Sequence, residues 1–469
     1  MKHHYRLPLR RTPPGGSDYA LALLLALGGA LPASAADAPA PAEEAPPLAS
    51  SVPDKADTAL GKVTVTARRR EEDSQKVPTP ITVLGGETLE AQRISRVQDL
   101  QQVLPSVNVA YIHARQSSVA VRGIGNNPAS DGLEGSAGIY LDNVYLGRPG
   151  MAVFDLLDIE QLELLRGPQG TLFGKNTTAG VLNISTRAPT FTAERTVEVS
   201  GGQDGYFQGR GTVSGPLGET LAGRLSAYRT RDDGYIKNIH DDNYLNGGER
   251  QGARGQLLFE PNEDFSLRWI ADYNEEDSSN GSMVVYGGAE RFWQRAALVG
   301  ASPLRDPQRR KVNINGRQHV SVHQGGSSLE ANWNLAGGYR LTSISAYRYW
   351  HFTPANDEQL NVSAINDTGV EVHDRQFSQE IRLASPTGGA FDYVVGAYAF
   401  RQNLGNKTFT SYGPLADLYL LGANLGALND TYSKANGKIE TDSFALFAQG
   451  TWHLTELLDF TAGLRGTYE

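Results

Sequence analysis

Cysteine is absent from all 469 residues. That absence excludes disulfides, iron–sulfur clusters and thiol nucleophiles together, and it fits an envelope protein stabilised by sheet closure. Long apolar runs are scarce too. Beyond residue 35 nothing approaches the roughly 20 apolar residues of a membrane helix, so a helical membrane protein is excluded. A β-barrel is not, because its strands are short and alternate in polarity. A mean hydropathy of −0.38 suits such alternation. A positive balance is lacking as well: the formal net charge is −9, which argues against a nucleic-acid partner. No Ser/His/Asp or paired-carboxylate arrangement emerges, so no catalytic residue is assigned and an enzyme is not expected.

What is present begins with an export signal over residues 1–35. Lys2, Arg6, Arg10 and Arg11 supply a basic start, Tyr19–Leu31 is apolar, and Ala33-Ser34-Ala35 is a small-x-small cleavage site. Nothing after Arg10-Arg11 matches a twin-arginine signal. Losing those four cations and Asp18 leaves the mature chain near −12. Residues 36–61 are rich in Ala and Pro and are expected to be a disordered spacer. The segment 62–73 follows, with the β-prone run Val63-Thr64-Val65-Thr66-Ala67 against the charged Arg68-Arg69-Arg70-Glu71-Glu72-Asp73. Such a run can add to the sheet edge of another protein, or it can be the first strand of the domain behind it. The pattern alone leaves both open.

Residues 74–190 read as a small mixed α/β unit. Strands are expected at Ile81–Leu84, Val119–Arg122, Ala137–Leu141 and Gln161–Leu165. Ser95 is the expected cap of a helix that puts Val97, Leu100 and Leu104 on one face and stops at Pro105. From 191 to 469 the texture is period-2 alternation. Phe265, Leu267, Trp269, Ala271 and Tyr273 share one face, and Phe460, Ala462, Leu464 and Tyr468 another.

Eleven strands are expected, near 194–202, 205–215, 219–231, 249–260, 264–275, 327–335, 338–349, 373–384, 390–402, 438–453 and 458–468. After the first hairpin, short Gly/Pro/Asn turns alternate with long links at 232–248, 276–326, 350–372 and 403–437. Outer-membrane barrels have this asymmetry between the two rims.

At this point a family resemblance becomes visible. Val63–Ala67 resembles a TonB box. Gly138-Ile139-Tyr140-Leu141-Asp142-Asn143-Val144-Tyr145 and the run from Asp158 through Leu165-Arg166-Gly167-Pro168-Gln169-Gly170 to Gly174 resemble plug segments of TonB-dependent outer-membrane receptors. Thr461-Ala462-Gly463-Leu464-Arg465 is similar to their barrel strands.

The resemblance implies a mostly-β chain, a mixed α/β plug within a transmembrane antiparallel barrel, with about 11 of roughly 22 strands present. The odd strand number and the terminal Glu469 make a fragment or truncated reading frame the expectation. The short stretch before the box leaves no room for an extra signalling domain. The resemblance also implies TonB as energy-transducing partner, outer-membrane lipid around the barrel, and an extracellular ligand, most often a ferric siderophore. A carbohydrate or other nutrient receptor is the alternative, and a passive porin or structural barrel the reading from another class.

For the site, the resemblance implies arginine–glutamate pairs between plug and barrel, with Arg122 and Arg166 at the arginine positions and Glu380 as the barrel partner. Ligand contacts are expected at the plug apex, Gly123–Gly135 with Asn126 and Asn127, and in loop 276–326 with Tyr286, Phe292 and Trp293. No cofactor is expected. Gly174-Lys175 lacks the phosphate-loop spacing, since Gln169 and Asn176 occupy the required Gly and Ser/Thr places. His319 and His323 lie four apart on a strand, too far apart to chelate, so no metal site is read from them.

Overall fold

The computed structural model describes residues 63–66, 68–70, 72–125, 131–152, 154–356 and 360–469. The expected export signal and spacer, Ala67, Asn126 and Asn127 lie outside the described residues.

Near the amino terminus, two short strands pair: β1 (Thr64–Val65) with β2 (Glu72–Asp73). The plug proper follows as β3 (Ile81–Gly85), β4 (Val107–His113), β5 (Gln116–Val121), β6 (Ala137–Leu141), β7 (Val144–Tyr145), β8 (Ile159–Arg166) and β9 (Gly180–Thr186). Five of these make one sheet in the order β3-β8-β9-β6-β7, and β4 pairs with β5. The expected helix after Ser95 is a 3₁₀ turn, Val97–Gln102, that starts one residue later, behind Arg96. Asp99 decides this: its Oδ2 accepts the backbone N–H groups of both Ser95 and Arg96, so Ser95 donates to a cap instead of being one.

The second unit is a single sheet of eleven antiparallel strands. They are β10 (Glu194–Gly201), β11 (Phe207–Pro216), β12 (Leu221–Asp232), β15 (Gly248–Asn262), β16 (Phe265–Ser278), β18 (His319–Leu335), β19 (Tyr339–Ala355), β20 (Ile365–Ala384), β21 (Phe391–Tyr412), β22 (Tyr432–Thr455) and β23 (Leu458–Tyr468). Three short pieces, β13 (Ile236–Asn238), β14 (Tyr244–Leu245) and β17 (Lys311–Val312), form a small sheet in the long loops. The sheet is a curved wall whose first and last strands do not pair with each other among the described residues.

All eleven strands were expected, but those from β18 to β22 run further into the long-loop rim. β18 starts at His319 rather than near 327, β20 at Ile365 rather than near 373, and β22 at Tyr432 rather than near 438. Their extensions lie beyond the apolar layer, where outward positions such as Ser321, His323 and Glu371 turn polar while Val320, Val322 and Val372 face the plug, so the apolar phase of the alternation reverses.

The faces of this wall are inverted relative to a soluble protein. On β20 the outward Phe377 is 49% exposed, whereas the inward neighbours Asp374 and Gln376 are 1% and 2% exposed. The same holds along the sheet: Val197, Trp269, Leu329, Trp333, Tyr347, Ile381, Phe444 and Leu464 stand exposed, while Arg224, Arg250, Arg254, Gln324, Arg348 and Glu380 are buried. Water on the outer face would make so broad an apolar surface an aggregation hazard. Lipid makes it the expected exterior of a barrel. Next to the short turns, Phe265 meets Trp333, and Phe391, Trp452 and Phe460 form a chain of ring contacts. Trp333 and Trp452 suit a membrane–water interface, each an apolar ring with one polar N–H, and the phenylalanines pack against them on the apolar side.

The buried inner face exists because the plug fills it. One apolar core joins plug residues Leu100, Leu104, Met151, Phe154 and Leu164 to Val322, Trp350, Phe352, Val372 and Leu404 of the wall. Contact is close: a Cβ on Gly150 would stand 2.8 Å from Trp350 and 2.5 Å from the Ala114 carbonyl oxygen.

Candidate functional site

Where the plug sits on the wall, buried charges meet across the contact. Asp158, just ahead of β8, receives both Nε and Nη2 of Arg224 at 2.6 Å, and the Ser226 hydroxyl donates to it at 2.6 Å. A rigid guanidinium fork met by both carboxylate oxygens is the strong form of such a pair. Burial raises the Asp158 pKa, but the Arg224 and Ser226 hydrogen bonds outweigh it and hold the carboxyl below its ordinary value.

Three residues earlier, Asp155 pairs with Arg250 at 3.3 Å and accepts from Thr230. Asp142 stands 3.7 Å from Arg268 and accepts the Thr186 N–H. Arg254 donates to the Leu157 carbonyl. In the opposite sense, Arg148 of the plug faces Asp374 of β20 at 3.6 Å.

The expected partners are arranged differently. Glu380 is buried on the inner wall, but its carboxylate is taken by Arg69 (3.5 Å, on Oε2) and Arg382 (2.8 Å, on Oε1). Arg122 and Arg166 do not reach it. Arg166 donates from Nε to the Ser106 hydroxyl, and Arg122 is exposed with a left-handed φ of 54°. Half of the seat has the opposite polarity to the expectation: Asp142, Asp155 and Asp158 of the plug meet wall arginines, while Arg69, Arg70 and Arg148 meet wall carboxylates. The signal was in the sequence: Arg224, Arg250, Arg254 and Arg268 all fall on the inward phase of alternating strands, and Asp155 and Asp158 flank Leu156-Leu157.

The described part of the run Val63–Ala67, residues 63–66, is docked. Val65 is fully buried in a cluster with Tyr140, Leu165, Phe173 and Val181. The Thr66 N–H donates to Glu163 at 2.7 Å, and Asn183 donates to both the Thr66 hydroxyl and Glu163. Burial raises the Glu163 pKa even against these donors. Behind it, Arg68 donates to Thr451 of β22. Arg69, at a left-handed φ of 61°, lies over the Phe173 and Tyr140 rings at 4.3 and 5.0 Å. Arg70 stands 3.9 Å from Asp392 of β21. The regular strand pairing of this segment is short, two residues of β1 against β2 with one more bond from the Ser74 N–H to Val63, so it is a small unit that can open locally by uncovering Val65 and releasing the Glu163 and arginine contacts.

At the opposite, long-loop end, Arg115 binds Asp131 in two contacts of 3.2 Å, and Asn406 of β21 donates to the same carboxylate. Tyr286 is 90% exposed. Trp293 lies on a loop helix, Glu290–Leu298, between the Phe292 ring and the Arg305 guanidinium, with its N–H on the Gly288 carbonyl. These two aromatics are not brought together.

His113, at the end of β4, stacks on Phe352 of the wall at 5.1 Å. Burial, helped by Arg115, lowers its pKa from 6.5 to about 4. The folded state therefore binds this proton less readily than the unfolded chain, and the stability it contributes is full above pH 6.5 and is lost as the pH falls toward 4. Lowering the pH through that window should loosen the plug apex. Hydrogen exchange across 107–121 would record it, and His113→Leu should flatten the dependence; an unchanged slope in that variant would contradict the assignment.

This combination defines a class: a membrane-facing β wall with a separately folded plug bound to its polar inner face by apolar contacts and buried ion pairs. Comparison with known proteins gives the class its name. Residues 73–181 match the family of the TonB-dependent Receptor Plug Domain, and the chain has the plug-and-barrel fold of TonB-dependent receptors.

It is 25% identical over 400 residues to the pesticin receptor of Yersinia enterocolitica, covering 83% of this chain and 53% of that protein. It is 30% identical over 174 residues to the vitamin B12 transporter BtuB of Photobacterium profundum, covering 37% and 28%. Among solved structures, the ferric yersiniabactin uptake receptor FyuA from Yersinia pestis superposes with a TM-score of 0.70 at 20% identity, covering 83% of this chain and 56% of that one. The ferripyoverdine receptor of Pseudomonas aeruginosa gives 0.67 at 18%, covering 86% and 54%. The matched proteins are receptors and transporters, not enzymes. The chain spans about half the length of the curated relatives it matches, 53% for the pesticin receptors.

Proposed function

We propose that this chain acts in the TonB-dependent uptake of a ferric siderophore across the outer membrane of a Gram-negative bacterium. The observation that carries this reading is the docked strand at Val63–Thr66, a short, releasable element on a plug that otherwise blocks the inner wall. An outer membrane has no nucleotide supply, so uphill uptake needs force from outside it. TonB pairing with Val63, Thr64, Val65, Thr66 and Ala67 would supply that force by strand addition. Pulling there acts first on Val65 and the Glu163 contacts, then on the three arginines that reach the wall. Ligand would be held on the other side, by the plug apex around Asn126 and Asn127 and by loop residues such as Tyr286 and Trp293. Plug–barrel ion pairs, including Glu380, keep the plug seated between pulls.

A receptor for another scarce nutrient is the second reading, favoured by the similarity of part of the chain to a vitamin B12 transporter. A passive pore needs neither a plug nor a docked strand.

The test is uptake of radiolabelled ferric siderophores by cells grown on limiting iron. Val65→Pro removes a strand N–H and a buried side chain, and should abolish uptake while ligand binding at the surface persists. Normal ferric-ligand uptake in a disruption mutant would remove the iron assignment, and normal uptake by Val65→Pro would remove the coupling role of the strand.

A further inference from the structure

On the outer surface of the wall stands a group of donors for which transport has no use. Glu371 and His373 of β20 are two residues apart and so share a face. His351 of β19 is the direct register partner of His373, and His323 of β18 is the partner of His351. The Glu371 Oε1 atom lies 2.8 Å from His373 Nε2 and 3.9 Å from His351 Nε2. The two rings are 3.7 Å apart, and one donor atom from each of the three residues falls within 4.8 Å of the others.

Lys407, opposite Glu371 on β21, occupies the other carboxylate oxygen at 3.3 Å. Oε1 is left directed at the imidazoles. His323 is engaged with the Tyr273 and Ser321 hydroxyls, so it borders the group without belonging to it.

Position in the membrane matters. A tilted strand crosses the hydrocarbon with about 9–11 residues, and Tyr339–Tyr349 of β19 already supplies that length. Tyr347 and Phe377 stand on the outward face just short of the cluster. His351, Glu371 and His373 therefore lie above the apolar layer, at the long-loop rim, where an ion can arrive from water.

The geometry points to a binding site for a divalent transition-metal ion, of the zinc type, formed by His351, His373 and Glu371 across two strands. Two imidazoles and one carboxylate are a recognised zinc set, with the fourth position left to water. Two imidazolium rings at this separation would repel each other, whereas neutral imidazoles offer lone pairs to a shared cation. The bland reading is a surface ion pair between Glu371 and its neighbours. An anion such as a phosphate would have to settle beside the central carboxylate, which disfavours it. The contacts needed come from cross-strand register, which is why spacing along the chain gave no sign of them. This site does not depend on the transport reading.

The experiment uses the purified receptor in detergent, stripped of metal and titrated with Co²⁺ as a visible-absorbing probe, then with Zn²⁺ in competition. Expected are bound Co²⁺ with ligand-field bands, displacement by Zn²⁺, and tighter binding as the pH rises from about 5.5 to 7.5, because protons compete for the ligands. Loss of residues one step removed from a metal costs roughly 10–100-fold in affinity, so His351→Ala and His373→Ala should each weaken binding at least that much. Glu371→Gln should weaken it too, and His240→Ala should leave it unchanged. Heat-modifiable mobility on gels would verify that each variant still forms its barrel.

Co²⁺ binding that survives the His351→Ala/His373→Ala pair would overturn the site. So would a folded, metal-free receptor that takes up no Co²⁺. Inorganic phosphate binding that strengthens as the pH falls and is lost in the same variants would replace the metal with an anion and overturn it equally.

Discussion

Replacing Arg224 with alanine should loosen the seated plug by about 3–5 kcal/mol, the usual cost of removing one partner of a buried ion pair. Asp158 would remain enclosed, with the Ser226 hydroxyl still donating to it. Arg224 is itself 2% exposed at its side chain and holds Glu194 at 2.9 Å as well, so the substitution also removes a side-chain contact at the start of β10. Asp158→Ala should cost a similar amount for the reciprocal reason. The double variant should fall short of the sum, with an interaction energy of about 0.5–3 kcal/mol. Protease sensitivity or hydrogen exchange over 155–166 reads the effect. If Arg224→Ala leaves the plug as resistant as the parent, this pair does not seat it.

The other large effect belongs to the outer face. Leu329 is 41% exposed midway along the outward side of β18, between Trp333 near the short turns and the polar rim. An arginine there would sit in hydrocarbon, and Leu329→Arg should destabilise the folded wall by about 2–4 kcal/mol, as charges near the bilayer midplane do. The same change in a water-exposed surface would be nearly neutral. Urea unfolding in lipid vesicles would distinguish the two outcomes, and a neutral result would mean that this face does not meet lipid.

How far the chain could be read before its structure depended on which contacts are local. Alternation along Phe265–Tyr273 and Phe460–Tyr468 is a property of one strand, and it gave the eleven strands and their inward and outward phases. Where the apolar phase reverses, as at His319–Gly325 with Val320 and Val322 turned inward to the plug, the alternation no longer continues that of the lipid-facing stretch, and the strand ends were placed short.

Pairing across the interface lies further from the sequence. Arg122 and Arg166 were matched to Glu380 through family likeness. The structure gives Glu380 to Arg69, whose backbone turns left-handed to reach it, and gives the plug carboxylates Asp142, Asp155 and Asp158 to arginines of the wall. Each of those pairs joins residues more than sixty positions apart. The docked strand was half legible: β propensity marked Val63–Thr66, but its burial against Glu163 depends on a strand a hundred residues away.

Because the chain has no cysteine of its own, single cysteines can carry nitroxide labels without background. The central claim is that within the apolar layer the odd-numbered residues of β18–β21 face lipid while their even-numbered neighbours face the plug. Collision rates with oxygen and with a water-soluble nickel complex should show labels at 329, 377 and 381 open to oxygen and closed to nickel. Labels at 324, 376 and 402 should be closed to both. Nickel access at 329, 377 and 381 equal to that of a surface loop would contradict the account.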